Sequence, residues 1–489
     1  MSKKDLPKKK NARRDFLKTS TTALAGFYIV PRHVLGGPGF KAPSDKLVIA
    51  GIGVGGKGYS DIKNFYESGN AEIAVLCDVD DERAKRSRED YPKAKYYRDY
   101  REMLDKEHKG IDAVSVSGPD HNHAVQALAA MQLGKHVYVQ KPLTKDIYEA
   151  RMMTEAADKY KLVTQMGNQG ASGEGVRKMM EWYKAGIIGE ATRVWTWTDR
   201  PVWPQGVPWP ESKAKKAPKH FDWDLWLGTA PKKPYTENIH PFNWRGWWDY
   251  GTGALGDMAC HIMEPAYRVL DLGYPTEAEC SVGSVYVDEF KRGYFPESCP
   301  PSSHITLRFD RPNGSKLTFH WMDGGIKPTR PEELGPDEPM GDGGNGVIIE
   351  GTRGKMMCDT YGRNPRLLPS SLNESISVPE SLPRVEGGIP GHYAQWVNAC
   401  IAGHGSKEYH ELSSPFSIAG PLTETVLMGN LAIRSYDYRE ERADGKGYNY
   451  PGRDIKLLWD GKNMKITNFE PANQFIKREY PVGFELPKV

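Results

Sequence analysis

Cysteine is scarce in this chain: six in 489 residues, at 77, 260, 280, 299, 358 and 400, with no CxxC pair. That excludes a clustered zinc motif of the usual spacing and supplies no disulfide scaffold, leaving room for one or two isolated bridges. Net charge is nearly absent as well, at +3. So even a balance argues against nucleic acid or a membrane surface as the principal partner. The basic piece KAKKAPK, 213–219, is short and reads as solvated loop. No internal repeat is visible, which sets repeat architectures aside. Long apolar runs are missing too. The stretch from Thr19 to Val30 is about twelve residues, broken by Gly26, and too short to span a bilayer. At 489 residues the chain exceeds one ordinary core, so two domains are expected once a leader is removed.

The leader, residues 1–40, begins MSKKDLPKKKNARRDFLKTSTTALAGFYIV. Arg13-Arg14 followed by Asp15-Phe16-Leu17-Lys18 and a mild apolar run resembles a twin-arginine signal. The competing reading is a disordered basic tail. The signal implies the twin-arginine export machinery as a partner and a periplasmic or otherwise exported location. That route carries folded proteins and suits one that acquires a cofactor before export. Cleavage near Gly36 and retention as an anchor are both open.

Lys46 to Ala50 (KLVIA) is a short apolar strand running into GIGVGGKG. Gly51, Gly53 and Gly56 fit G-x-G-x-x-G: a tight turn, close backbone approach to a pyrophosphate, and close helix packing. A second strand, Ile73 to Leu76, is followed by Asp78, twenty-two residues past Gly56. An acid there suits ribose hydroxyls and favours NAD, while Arg83 and Arg86 keep NADP open. Further strands at 113–116, 136–139 and 162–166, with helices between, predict a doubly wound parallel Rossmann sheet over residues 45–168. Pro119 to His123 and Gln140 to Pro142 follow strand ends, so Pro119, His123, Gln140 and Lys141 are expected at the cofactor crevice. For His121 and His123 a helix-start role competes with cofactor contact.

The segment GALGDMACHIMEP, 253–265, puts Asp257, His261 and Glu264 on one helical stripe. Surface polarity, a metal site and a proton-transfer pair are the alternatives. No second histidine lies nearby at ligand spacing, which leaves no metal in the expected site.

GIGVGGKG, the acid of CDVD, PDHNHA, QKP and GTGALGDMACHIMEP, in that order, resemble the glucose–fructose oxidoreductase, inositol dehydrogenase and MocA-like family. The resemblance covers the chain beyond the leader. It implies Lys141, Asp257 and His261 as catalytic residues, with Asp257 also binding substrate. A substrate hydroxyl would lie between Lys141, His261 and the nicotinamide. Two departures stand out: Gln140 replaces the glutamate of Glu-Lys-Pro, and Glu264 an aspartate. Glu264 is then expected to orient His261, and glycines 251, 253 and 256 to pass close to the cofactor. Histidine titrates near neutrality without special tuning, which suits a general base.

Residues 169–489 read as a substrate-binding and oligomerisation domain, α+β, with an open and mainly antiparallel sheet. Ten of thirteen tryptophans fall between Trp182 and Trp248. Trp203 and Trp244, with Arg245, are candidates for sugar contact; core filling is the competing role. Strands are expected at 278–287, 304–309 and 316–321, a hairpin at 347–358, and helices at 392–402 and 421–435. Residues 323–346 read as a lid or partner-facing loop, and the tail from Gly445 as irregular and wrapping the body. Three functions compete: an NAD-dependent oxidoreductase acting on a secondary hydroxyl of a sugar, glycoside or polyol; a redox-neutral NAD-dependent glycoside hydrolase; and a non-catalytic nucleotide sensor. The family's open sheet often forms subunit interfaces, which implies a homo-oligomer.

Overall fold

In the computed structural model, which describes residues 45–213 and 216–489, six short strands line up in parallel. They are β1 (Leu47–Ile52), β2 (Ala71–Cys77), β3 (Lys95–Tyr97), β4 (Ala113–Val116), β5 (His136–Val139) and β6 (Thr164–Met166). Their order is β3-β2-β1-β4-β5-β6. β4 is buried at every residue and β1 at all but Val48, the continuous apolar pattern of strands covered on both faces. Strand order reverses between β1 and β4, and the crevice at their carboxyl ends is where such sheets bind ligands. The export signal and residues 1–40 lie outside the described residues.

A second sheet of nine strands follows. Its members are β7 (Ala191–Trp197), β8 (Glu277–Val282), β11 (Ser303–Asp310), β12 (Lys316–Met322), β13 (Gly346–Gly351), β14 (Lys355–Cys358), β15 (Arg366–Leu368), β18 (Leu457–Asp460) and β19 (Lys465–Ile466). The order is β15-β14-β13-β7-β12-β11-β8-β18-β19, antiparallel except where β12 meets β7. Two small hairpins, β9–β10 (Tyr286–Asp288, Lys291–Arg292) and β16–β17 (Glu440–Glu441, Tyr448–Asn449), stand apart. The fold is thus a Rossmann sheet followed by a mainly antiparallel α/β domain. The strand expected at 278–287 stops at Val282 and resumes as the β9 edge.

Two helices cover this sheet, Gly253–Val269 and Phe416–Tyr436, and both are buried on nearly every face. An all-round apolar helix belongs between layers, and here the layers are the sheets. The helices cross where Gly429 has no side chain: a Cβ there would lie 2.6 Å from Leu255 Cδ2. Leu255 and Ile262 are buried in this seam, each worth about 2 kcal/mol of apolar transfer. The last long helix starts at Phe416, five residues before the Pro421 expected to open it. Proline forfeits one helical hydrogen bond, and burial of Phe416, Ala419 and Leu422 offsets that loss. All six cysteines are free thiols.

Candidate active site

The loop after β1 is shaped by backbone contact. Gly53 has φ +75°, and a Cβ on it would lie 2.6 Å from the Gly118 nitrogen after β4. Close helix packing was expected of Gly56, but Gly58 supplies it: a Cβ there would sit 1.7 Å from the Gly53 oxygen. Gly56 (φ +55°) instead faces the Arg83 guanidinium. Asp78, at the end of β2, accepts the Gly55 N–H at 3.0 Å through one oxygen and the Asp80 N–H at 3.0 Å through the other. Burial pushes its carboxyl upward, against those two bonds. A cleft opens here, lined by Gly53, Gly55, Asp78, Pro119, Trp244 and Arg245 among others. Backbone N–H groups, a ribose-height acid and glycine-only contacts fit a dinucleotide. Arg83 also lines the cleft, whereas Arg86 packs over the Tyr59 ring and faces Asp90.

Two expected cofactor residues turn away. His123 is buried, with Nδ1 2.9 Å from the Pro142 oxygen and Nε2 2.9 Å from the Gly118 oxygen, so it clasps two loops together. Gln140 is buried and donates to Asp61 Oδ2 at 2.9 Å. Asp61 also receives Ser117, Tyr393 and Lys57, which accounts for an uncharged residue at 140: a glutamate there would oppose Asp61. His121 is held by the Trp226 and Tyr250 carbonyls, and burial lowers its pKa to about 3.

Lys141, Asp257 and Arg245 form one cluster. Lys141 Nζ donates to Asp257 Oδ1 at 2.7 Å and to its backbone oxygen at 2.8 Å, and Arg245 Nε reaches the same Oδ1 at 3.1 Å. Burial opposes the Asp257 charge, but Lys141 and Arg245 overcome it and hold the carboxyl below the usual range. With two cations on Oδ1, Asp257 is a charge-paired hydrogen-bond acceptor, which disfavours its reading as a metal ligand. Arg245 in turn lies 4.3 Å from the Trp244 ring centroid. Trp203 is not among the cleft-lining residues; it is buried, with Nε1 bonded to Gln205 at 2.8 Å.

His261 follows one turn after Asp257. It is buried, its Nδ1 has no partner among the described residues, and its ring meets Tyr361 edge-on at 4.7 Å. Burial first, then the Lys141 charge, push its pKa well below 6.5, so it is strongly tuned toward the neutral imidazole. Glu264 makes no hydrogen bond to His261, contrary to the expected orienting role. Its Oε1 is buried with no partner among the described residues, and burial raises its pKa to about 7. The expected cofactor approach at glycines 251, 253 and 256 is also corrected. Side chains there would strike Arg245, Cys299 and Thr252 respectively, so these glycines let the turn pack on itself.

Several site residues escaped the sequence reading. Asn168, just beyond β6, is buried, and neither of its side-chain polar atoms has a partner among the described residues. Its only signal is position, at a strand's carboxyl end. The tryptophan-rich stretch docks on the first sheet: Asp222 N–H bonds to Val79 O, and Asp81 N–H to His220 O. Asp80 takes His220 Nδ1 and His240 Nε2, each at 3.0 Å, so Leu225, Trp226, His240 and Pro241 wall the cleft.

The glycine-cradled Rossmann cleft is joined through Arg245 to the Lys141–Asp257 pair, an arrangement that fits a dinucleotide-binding class of protein. Residues 46–168 match the family described as "Oxidoreductase family, NAD-binding Rossmann fold", and residues 179–287 its "C-terminal alpha/beta domain". These two stretches are thus similar to the two domains of the Gfo/Idh/MocA oxidoreductases, and the first is an NAD-binding Rossmann domain. Among similar proteins is a glycosyl hydrolase family 109 protein of Shewanella pealeana, 27% identical over 201 residues, covering 36% of this chain and 44% of the relative. A Shewanella baltica relative of the same name is 26% identical over 202 residues. The chain thus spans less than half the length of the curated relatives it matches. Levoglucosan dehydrogenase, solved with NADH and levoglucosan, shares the fold at 16% identity and TM-score 0.52, over 79% of this chain and 98% of that one. So does the WlbA dehydrogenase from Bordetella pertussis, solved with NADH and UDP-GlcNAcA, at 16% identity and TM-score 0.50, over 78% and 94%.

Proposed function

We propose that this protein oxidises a secondary hydroxyl of a sugar, glycoside or polyol, using NAD held in the cleft described above. The observation that carries the reading is the Lys141–Asp257–Arg245 cluster, one helical turn from the buried His261 imidazole and joined to the cleft through Arg245. Gly53, Gly55 and Asp78 would hold the nucleotide. When bound, nicotinamide supplies a reversible hydride acceptor. His261, neutral at pH 7, is able to take the hydroxyl proton. Lys141, ion-paired with Asp257, would stabilise the oxygen on which negative charge develops. Arg245, packed on the Trp244 ring, would offer a planar donor to a sugar hydroxyl near Asp257.

A second reading, redox-neutral glycoside hydrolysis, is favoured by the name shared by the curated relatives. There, transient oxidation at C3 acidifies the C2 proton, the aglycone is eliminated, water adds and the ring is reduced again. The same Lys141 and His261 would serve. Export through the twin-arginine route also supports a cycle needing no soluble NAD pool, and assembly as a homo-oligomer in the periplasm belongs to the same proposal.

The test uses protein purified with its own nucleotide and an aryl glycoside in heavy water. Many turnovers of aglycone, deuterium at C2 and no lasting reduced nicotinamide would establish the hydrolase. One stoichiometric rise in near-ultraviolet absorbance followed by arrest would establish the oxidoreductase. Silence with glycosides, free sugars and polyols alike would overturn both.

A further inference from the structure

The last residues of the chain return to the nucleotide cleft. Phe484 lines it alongside Cys77, Asp78, Arg98, Asp99 and Tyr100, the walls beyond the acid that closes β2. The tail is fastened on both sides of this ring. Upstream, the Arg478 guanidinium donates to the His121 oxygen and to Glu149 Oε1, both at 2.6 Å, and pairs with Asp146 at 3.0 Å. Downstream, Gln132 donates to the Lys488 oxygen at 2.8 Å. Between these anchors Arg101, itself paired with Asp99 at 2.6 Å, donates to the Gly483 oxygen at 2.9 Å and lies 4.3 Å from the Phe484 ring centroid. The ring is therefore held in place yet only half-buried, at the edge of the cleft.

We infer that Phe484 forms a wall of the adenine subsite, packing its ring against the purine of the bound nucleotide. The inference rests on the reading of the cleft as an NAD site. Asp78 marks the ribose position, so the base lies beyond it, among the β2 and β3 ends, where Phe484 reaches in. A purine offers a π-face that an aromatic side chain stacks on without reading hydrogen bonds. This contact joins the carboxyl-terminal tail to cofactor retention.

The test is calorimetric binding of AMP, NMN and NAD to the full-length protein, stripped of nucleotide, and to Phe484→Ala and Phe484→Tyr. Phe484→Ala should weaken AMP and NAD about tenfold, leave NMN unchanged, and Phe484→Tyr should restore AMP. Equal AMP affinity in Phe484→Ala and the parent would overturn the inference. So would parallel losses of AMP and NMN, which indicate general loosening. If the parent bound neither AMP nor NAD, the NAD reading itself would fall first.

Discussion

Glu264→Gln tests the electrostatics of the buried helix Gly253–Val269. Glu264 is buried, its Oε1 has no partner among the described residues, and burial raises its pKa from 4.5 to about 7 against the pull of Arg268 and Arg177. The sign follows from proton counting. Near pH 4 both folded and unfolded chains hold the proton. Between 4.5 and 7 the unfolded chain releases it while the folded chain keeps it, so this group's contribution falls as pH rises. At about 1.4 kcal/mol per pH unit, the gap amounts to about 3 kcal/mol lost by pH 8. Glutamine matches the neutral acid in shape and does not titrate. The variant should therefore equal the parent near pH 4.5 and exceed it by about 3 kcal/mol at pH 8. Urea unfolding followed by tryptophan fluorescence, stepped across that range, measures the difference. A difference independent of pH, or larger on the acid side, would refute the argument.

His261, held well below 6.5, should give kcat/KM no acid limb between pH 8 and 6; a limb centred at 6.5 would contradict its neutral state. His261→Ala that kept full turnover would remove the acid–base role. Asp78→Ala frees the Gly55 N–H and removes the acid from the cleft, so NAD affinity by calorimetry should fall about tenfold or more. Asp80→Ala removes a helix cap and both histidine contacts, for a loss of about 3 kcal/mol at pH 7 in urea unfolding. Burial opposes the Asp80 charge, but His240 and His220 hold its pKa below the ordinary value. Its contribution should be present at pH 5 and vanish as pH falls below that ordinary value.

The first sheet was legible because its grammar is local. Strand, glycine turn and helix succeed one another within a few residues, and GIGVGGKG and Asp78 sit where that grammar requires. Asp257 and His261 were legible for a similar reason, since a spacing of four defines one helix face. β7 was obscured: RVWTW invites a reading of its tryptophans as ligand contacts, while the strand is central in the second sheet. Gly58 was missed because the motif assigns close packing to a glycine two residues earlier.

Other features depended on distant parts of the chain. Whether Gln140 faced cofactor or Asp61 depended on the helix carrying Asp61, 79 residues away. His123 was decided by two carbonyls that its own neighbours do not announce. That Trp244 would wall the cleft while Trp203 filled the interior followed from how the tryptophan-rich stretch docked on Asp80. Sequence alone determined the dinucleotide loop, the parallel sheet and the helical stripe of Asp257 and His261, since each is a short-range pattern of backbone and side-chain spacing. Tertiary structure decided the charge states of Asp257, His261 and Glu264, the direction of each crevice side chain, and the return of Phe484 to the cleft. Those properties arise from burial and from neighbours on other elements of the fold, which no local pattern encodes.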